Sequence, residues 1–133
     1  KNLLKVLYNK PVEIKQPVHK VMEKIVATKG VAAAVADYKR MKTDSAHYYI
    51  DWPSMNYLGE QLYNLKRYEE ARVIFENNAA EFPTCDLVLI NLAKTFQELG
   101  KKEEAIFWYK KTLELFPNFE EAKNRLKELE ASK

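Results

Sequence analysis

With 133 residues, 47% of them apolar, and sixteen aromatic side chains, the chain carries enough apolar surface for one packed domain, which excludes a disordered polymer. Three Gly and five Pro leave little for turn-rich β architecture, and no apolar run approaches the roughly 20 residues of a bilayer span. A net charge of +3 is too small to argue for nucleic acid, and no basic stripe with interleaved stacking aromatics is present.

The first nine residues read as a short helix with Leu3, Leu4, Val6 and Leu7 apolar, ended by Asn9-Lys10-Pro11 because the residue before a proline avoids the helical region. Val12-Glu13-Ile14 reads as extended or as linker. A helix this short is marginal alone in water, so it is expected to pack on the rest of the chain or on an upstream partner. The next helix is predicted from about Pro17 to Thr28, with Val18, Val21, Met22, Ile25 and Val26 on one stripe. Lys29-Gly30 stops it, Gly being the usual residue just past a helix end. A second helix follows from Val31 to about Lys42, with Ala34, Val35, Tyr38 and Met41 inward.

From Asp51 to Pro117 one unit of 34 residues is written twice. Leu58-Gly59 recurs as Leu92-Ala93, Leu62 as Phe96, and Glu69-Glu70-Ala71 as Glu103-Glu104-Ala105. Phe75 recurs as Tyr109 and Phe82-Pro83 as Phe116-Pro117. Each unit reads as a helix pair: Pro53–Leu65 with Tyr68–Glu81, then a helix to Leu99 with Lys102–Leu115. Asp51 is expected to cap the first of these, and either Thr84 or Asp86 the third. Met22, Ile25, Ala34 and Tyr38 match Gly59, Leu62, Ala71 and Phe75 at an offset of 37, so residues 17–50 form a degenerate third unit. Its extra length falls in Thr43–Ile50. There Tyr48-Tyr49-Ile50 beside Trp52 either wedges the loop against the first helices or anchors a partner. After Pro117, Asn118 with Glu121 three places on predicts a capping box. It opens a last helix to about Glu130 with Ala122, Leu126 and Leu129 on one stripe, as a terminal cap requires.

A period of 34 with these residues resembles the tetratricopeptide (TPR) repeat. The resemblance covers residues 51–117, more weakly residues 17–50, and residues 118–131 as the capping helix. It implies an all-α, right-handed superhelix of antiparallel helix pairs, about three pairs plus a C-terminal capping helix. The division reads 1–16 N-terminal helix and linker, 17–50 degenerate pair, 51–85 and 86–117 TPR units, and 118–133 capping helix. Met55 and Leu89 stand where the family prefers an aromatic, and Asn78 and Thr112 where it prefers Ala, which softens the packing.

By the same resemblance the first helix of each pair lines a concave groove that binds protein or peptide. Carried over by position, its lining is Asn56, Glu60, Tyr63, Asn64, Ile90, Asn91, Lys94 and Gln97, joined by His19, Glu23 and Leu87. Some family members clamp a C-terminal carboxylate with Lys and Asn residues and an Arg. Asn91 and Arg125 fit that set here, but Asn56, Glu60 and Glu121 occupy the other positions, and two carboxylates of the wrong sign oppose an anion.

A second resemblance rests on residues 7–14 (Leu-Tyr-Asn-Lys-Pro-Val-Glu-Ile), on Gly30 to Tyr38, and on Met55 to Leu62. In this order and spacing they are similar to a bacterial tail that follows the catalytic domain of β-lactamase-like serine hydrolases (penicillin-binding-protein relatives). It implies that residues 1–9 close an upstream enzyme domain, and a location outside the cytoplasm. A free-standing cytosolic peptide-binding adaptor is the alternative. The hydrolase motifs themselves are missing, since none of Ser45, Ser54 and Ser132 has Lys three residues on.

No catalysis is expected from the chain itself. Cys85, the single cysteine, forms no internal disulfide and has no His near it in sequence. His19 and Glu23 share a helix face at i,i+4 but lack the rest of a metal set. The Glu residues sit mainly among Lys on solvated helix faces. No Gly-rich phosphate loop occurs. The expectation is therefore an interaction or domain-packing module with no cofactor, no nucleic acid and no membrane span. Its partner is a protein, a peptide or its own upstream domain. The basic first fifty residues, with ten Lys/Arg against four Asp/Glu, read as a solvated Lys-rich face.

Overall fold

A computed structural model describes residues 14–132. Seven α-helices follow one another: α1 Val18–Lys29, α2 Val31–Lys42, α3 Trp52–Asn64, α4 Tyr68–Glu81, α5 Asp86–Glu98, α6 Lys102–Leu115 and α7 Glu120–Ala131. Two short strands, β1 Gln16–Pro17 and β2 Tyr48–Tyr49, pair in parallel in the register Gln16 to Tyr48 and Pro17 to Tyr49. The fold is an all-α helical repeat of TPR type. The predicted helix at residues 1–9 lies outside the described residues.

Antiparallel packing joins α1 to α2, α3 to α4 and α5 to α6, and α7 closes the end against α6. The core runs the length of the array. Each pair contributes a small residue where the backbones approach: Ala34, Ala71, Ala93 and Ala105 are fully buried. Large partners fill the space between, among them Met22, Tyr38, Phe75, Leu92 and Tyr109. Gly59 is required by the same logic, because a Cβ there would lie 2.4 Å from Phe75 Cε1.

The two inter-unit junctions differ. Between the second and third pairs, α4 lies broadly on α5 and α3 also meets α5. At the first junction the main contacts run from α1 to α3 and from α2 to α4. The longer connection between α2 and α3 permits this offset. It is held by the strand bridge and by Gln16 N–H donating to His47 O at 2.8 Å. Tyr48 and Ile50 pack on the core while Tyr49 stays exposed, so the aromatic stretch wedges the loop.

Helix starts depart from the sequence expectation in three places. α3 begins at Trp52, one residue early, with Asp51 accepting from Ser54 N at 2.7 Å and Ser54 Oγ at 3.0 Å. The N-cap of α5 is Cys85 without a side-chain bond, and Asp86 instead accepts from Leu87 N–H at 2.8 Å. The capping box at Asn118 does not form, since Phe119 is the N-cap of α7 and makes no side-chain cap bond. Asn78 was expected to soften the packing. It is fully buried and donates to Trp52 O at 3.1 Å, tying α4 back to the start of α3.

Candidate functional site

The first helices of the pairs, α1, α3 and α5, lie side by side because α1 meets α3 and α3 meets α5. Side chains of neighbouring first helices therefore meet across each junction. Asn91 Nδ2 donates to Asn56 Oδ1 at 3.0 Å, and Asn56 Nδ2 donates to Glu60 Oε1 at 2.9 Å. Tyr63 stacks edge-on against Tyr68 with centroids 5.1 Å apart, and its hydroxyl donates to Glu98 Oε1 at 3.4 Å. Burial, reinforced by the Glu98 carboxylate, pushes the Tyr63 phenol up to about 12.

The predicted lining residues divide into three groups. Glu60 and Asn64 are exposed, as is Leu87, while Tyr63, Asn91, Lys94 and Gln97 are half-buried. Asn56 is buried at 5% exposure and is spent on its two partners. Ile90 is buried at 2% within the hydrophobic core and presents no surface. The carboxylate-clamp positions are engaged internally. Lys94 Nζ and Arg125 Nε both reach Glu121 Oε2, at 3.3 and 3.2 Å. Arg125 Nη1 also donates to Gln97 Oε1 at 3.3 Å, and that oxygen accepts from the Tyr109 hydroxyl at 2.7 Å. Two cations thus converge on one carboxylate supplied by the capping helix, and an incoming anion would have to displace it.

The first junction carries a feature that sequence reading missed. Between α1 and α3 a hollow of about 230 Å³ is lined by Val26, Ala27, Leu58, Leu62 and Leu65, with Glu23, Gln61 and Arg67 at its polar edge. Val26 and Tyr63 hold the same repeat position, at the offset of 37. Tyr63 sits with its hydroxyl on Glu98 of the neighbouring α5, whereas Val26 is too small to extend across to α3 in the same way. Leu65 at the rim is 66% exposed, while Leu99, its counterpart at offset 34, is half-buried. Tyr57, 59% exposed, occupies the position that Asn91 holds in the next unit. The 34-residue alignment contained this signal, as the site where Asn is replaced by an aromatic. Arg67 is bidentate to Glu70, whereas Glu23 has no ion-pair partner among the described residues, which leaves the hollow's edge acidic.

Other candidate chemistry does not assemble. His19 and Glu23 make no hydrogen bond to each other, and among the described residues no three His, Cys, Asp or Glu side chains converge as metal ligands. Cys85 is half-buried at the start of α5. No helix among the described residues is long and apolar enough to cross a membrane.

Residues 87–119 match the tetratricopeptide repeat family. The match takes in all but the first residue of α5, all of α6, and the turn that leads into α7. No curated protein matches the chain. The repeat match and the helical array together support the TPR family and a role as a protein-interaction scaffold.

Proposed function

We propose that the chain is a non-catalytic interaction module that receives an extended polypeptide along α1, α3 and α5, and that it serves as the C-terminal module of a β-lactamase-like serine hydrolase. The observation that carries the binding role is the different bridging of the first helices at the two junctions. Across the second, Tyr63 reaches Glu98 and Asn91 bonds Asn56. The first keeps an apolar hollow lined by Leu58, Leu62 and Leu65 with Glu23 at its edge, and Tyr57 and Glu60 stand exposed elsewhere on α3. An aromatic or branched side chain flanked by lysine or arginine suits such a surface. The apolar group gains about 25 cal/mol for each Å² removed from water, and the carboxylates favour the cationic neighbour.

The tail assignment is supported by the order of residues 7–14, 30–38 and 55–62. In that setting the partner is the upstream enzyme domain or a polypeptide brought to it, outside the cytoplasm.

Calorimetric titration with short peptides carrying Phe or Tyr between lysines tests the binding role. Saturable heat that disappears with Glu60→Lys or Leu65→Ser is expected. Equal binding to peptides with Ser in place of the aromatic overturns the reading. The tail assignment is tested by the coding sequence upstream of Lys1. It requires S-x-x-K and Y-x-N motifs there, and a coding sequence without them removes it.

A further inference from the structure

At the turn between α4 and α5 a hollow of about 520 Å³ is walled by three aromatic side chains, Trp52, Phe82 and Phe116, together with Pro83. They come from the first residue of α3, the residue after α4 and the residue after α6. All three are half-buried, and Trp52 also packs on the core, so its ring is held while part of it stays open to solvent. The charged groups in the lining are both carboxylates, Glu81 and Asp86. Glu81 is tied through Oε2 to Lys42 Nζ at 2.8 Å. Asp86 accepts from Leu87 N–H through Oδ1 at 2.8 Å and has no ion-pair partner among the described residues. Each carboxylate keeps its second oxygen, Glu81 Oε1 and Asp86 Oδ2, outside these contacts. The next unit lacks two of the residues that define the hollow, because at the offset of 34 Asp86 stands for Trp52 and Leu115 for Glu81. The combination is therefore not a requirement of repeat packing.

We propose that this hollow receives an arginine side chain of a partner polypeptide. Aromatic faces attract a cation through the ring quadrupole, Trp most strongly. The hollow lies between the C-terminal end of α4 and the N-terminal end of α5. The partial charges of those two ends are opposite in sign, which leaves the carboxylates to set the sign of the site. A purely apolar occupant would strip water from Glu81 and Asp86 and return no hydrogen bond. An anion would meet two carboxylates. Guanidinium suits better than ammonium, since it is planar, weakly hydrated and stacks on aromatic rings, while its fork of N–H donors serves more than one carboxylate oxygen. The site uses none of the residues that line the hollow between α1 and α3, so it stands or falls apart from the groove reading.

The test follows backbone amide and indole N–H signals of the full 133-residue chain during titration with Nα-acetylarginine amide. Saturable shifts are expected at the Trp52 indole and at the amides of Phe82, Thr84, Cys85 and Asp86. Nα-acetylcitrulline amide, which keeps the shape without the charge, should leave them unmoved, and Nα-acetyllysine amide should bind at least about threefold more weakly. Asp86→Asn still offers an acceptor to Leu87 N–H, so the fold is kept, and it should weaken the arginine probe by at least about threefold. Phe116→Leu should act in the same direction, and Leu65→Ser should have no effect. Absence of shifts overturns the proposal, as does citrulline or lysine binding equal to arginine, or an Asp86→Asn titration like that of the unmodified chain. Shifts confined to Glu23 and Leu65 also overturn it, and assign the cation to the first junction.

Discussion

Asn91 of α5 donates through Nδ2 to Oδ1 of Asn56 on α3, 3.0 Å away, and Asn56 donates in turn to Glu60. Asn56 is 5% exposed, so this pair is a structural link between repeats and not a polar lining free for ligand. Removing one partner leaves the other buried and unsatisfied, at a cost of about 1–3 kcal/mol. Asn91→Ala should therefore lower unfolding free energy by about 1–2 kcal/mol in urea titrations. Asn64→Ala, at the exposed end of α3, should change it by less than about 0.5 kcal/mol. Equal effects would show that the inter-repeat bond contributes nothing.

Gly59 and Phe75 set a second expectation, in which two effects have opposite sign. Ala in place of Gly favours a helix by about 1 kcal/mol. A Cβ at residue 59, however, would stand 2.4, 2.7 and 2.8 Å from three atoms of the Phe75 ring, a side chain 1% exposed with no room to retreat. Overpacking of this kind costs about 1–3 kcal/mol, so the net change should be destabilising. Adding Phe75→Leu to Gly59→Ala should recover part of the loss, and a thermal melt of the single and double variants decides the point.

Lys66 and Gly100 hold the same turn in successive units, at φ 62° and 73°. In both, the next residue donates back into the preceding helix, Arg67 N to Leu62 O and Lys101 N to Phe96 O, each at 2.9 Å. The left-handed region costs a residue with a Cβ roughly 1 kcal/mol that Gly does not incur. Lys66→Gly should thus stabilise the fold by about 0.5–1 kcal/mol, whereas Gly100→Lys should destabilise it by a similar amount. Chemical denaturation of both exchanges measures the asymmetry.

These positions also mark what the sequence made legible. The 34-residue offsets locate the small residues Gly59, Ala71, Ala93 and Ala105 and the large ones facing them, because close helix approach leaves few choices of side chain. Ala71, Ala93 and Ala105 are at 0% exposure. Helix starts were less legible. A cap depends on the backbone path into the helix, and neither Asn118 nor Thr84 supplies a side-chain cap. The groove residues were legible only by position. Position alone does not reveal that Asn56 is closed off by Asn91, that Ile90 is inside the core, or that Glu121 pairs with both Lys94 and Arg125. The β1–β2 bridge spans only two residues on each side and left no periodicity to read.

Tyr38 gives a pH dependence whose sign is fixed. Burial first, then the Glu81 carboxylate, raises its phenol from 10.0 to about 12, with Asn77 nearby tempering the rise. No hydrogen bond forms at its hydroxyl, which is buried without a partner. The unfolded chain therefore releases this proton at lower pH than the folded one. The contribution is fully present below pH 10 and is lost as pH climbs towards 12. At 1.36 kcal/mol per unit the loss is on the order of 3 kcal/mol. Tyr38→Phe removes both the titration and an unsatisfied buried hydroxyl. It should leave stability at pH 7 unchanged or slightly higher and flatten the fall between pH 10 and 12. Tyr63 titrates in the same window, so the residual slope in the variant should persist and not vanish.

Binding and folding should separate at the first junction. Leu65 and Tyr57 are 66% and 59% exposed, so Leu65→Ser and Tyr57→Ser should each alter stability by less than about 0.5 kcal/mol. If the hollow between α1 and α3 receives an apolar side chain, either change should weaken peptide affinity by about 1–2 kcal/mol, roughly five- to thirtyfold. Gln97→Ala is the control from the second junction. Gln97 accepts from Tyr109 and Arg125 at 2.7 and 3.3 Å, so its loss should cost stability more than affinity. A parallel series of urea titrations and calorimetric affinities for the three variants distinguishes the two junctions. A loss of affinity confined to Gln97→Ala would move the binding surface to the second.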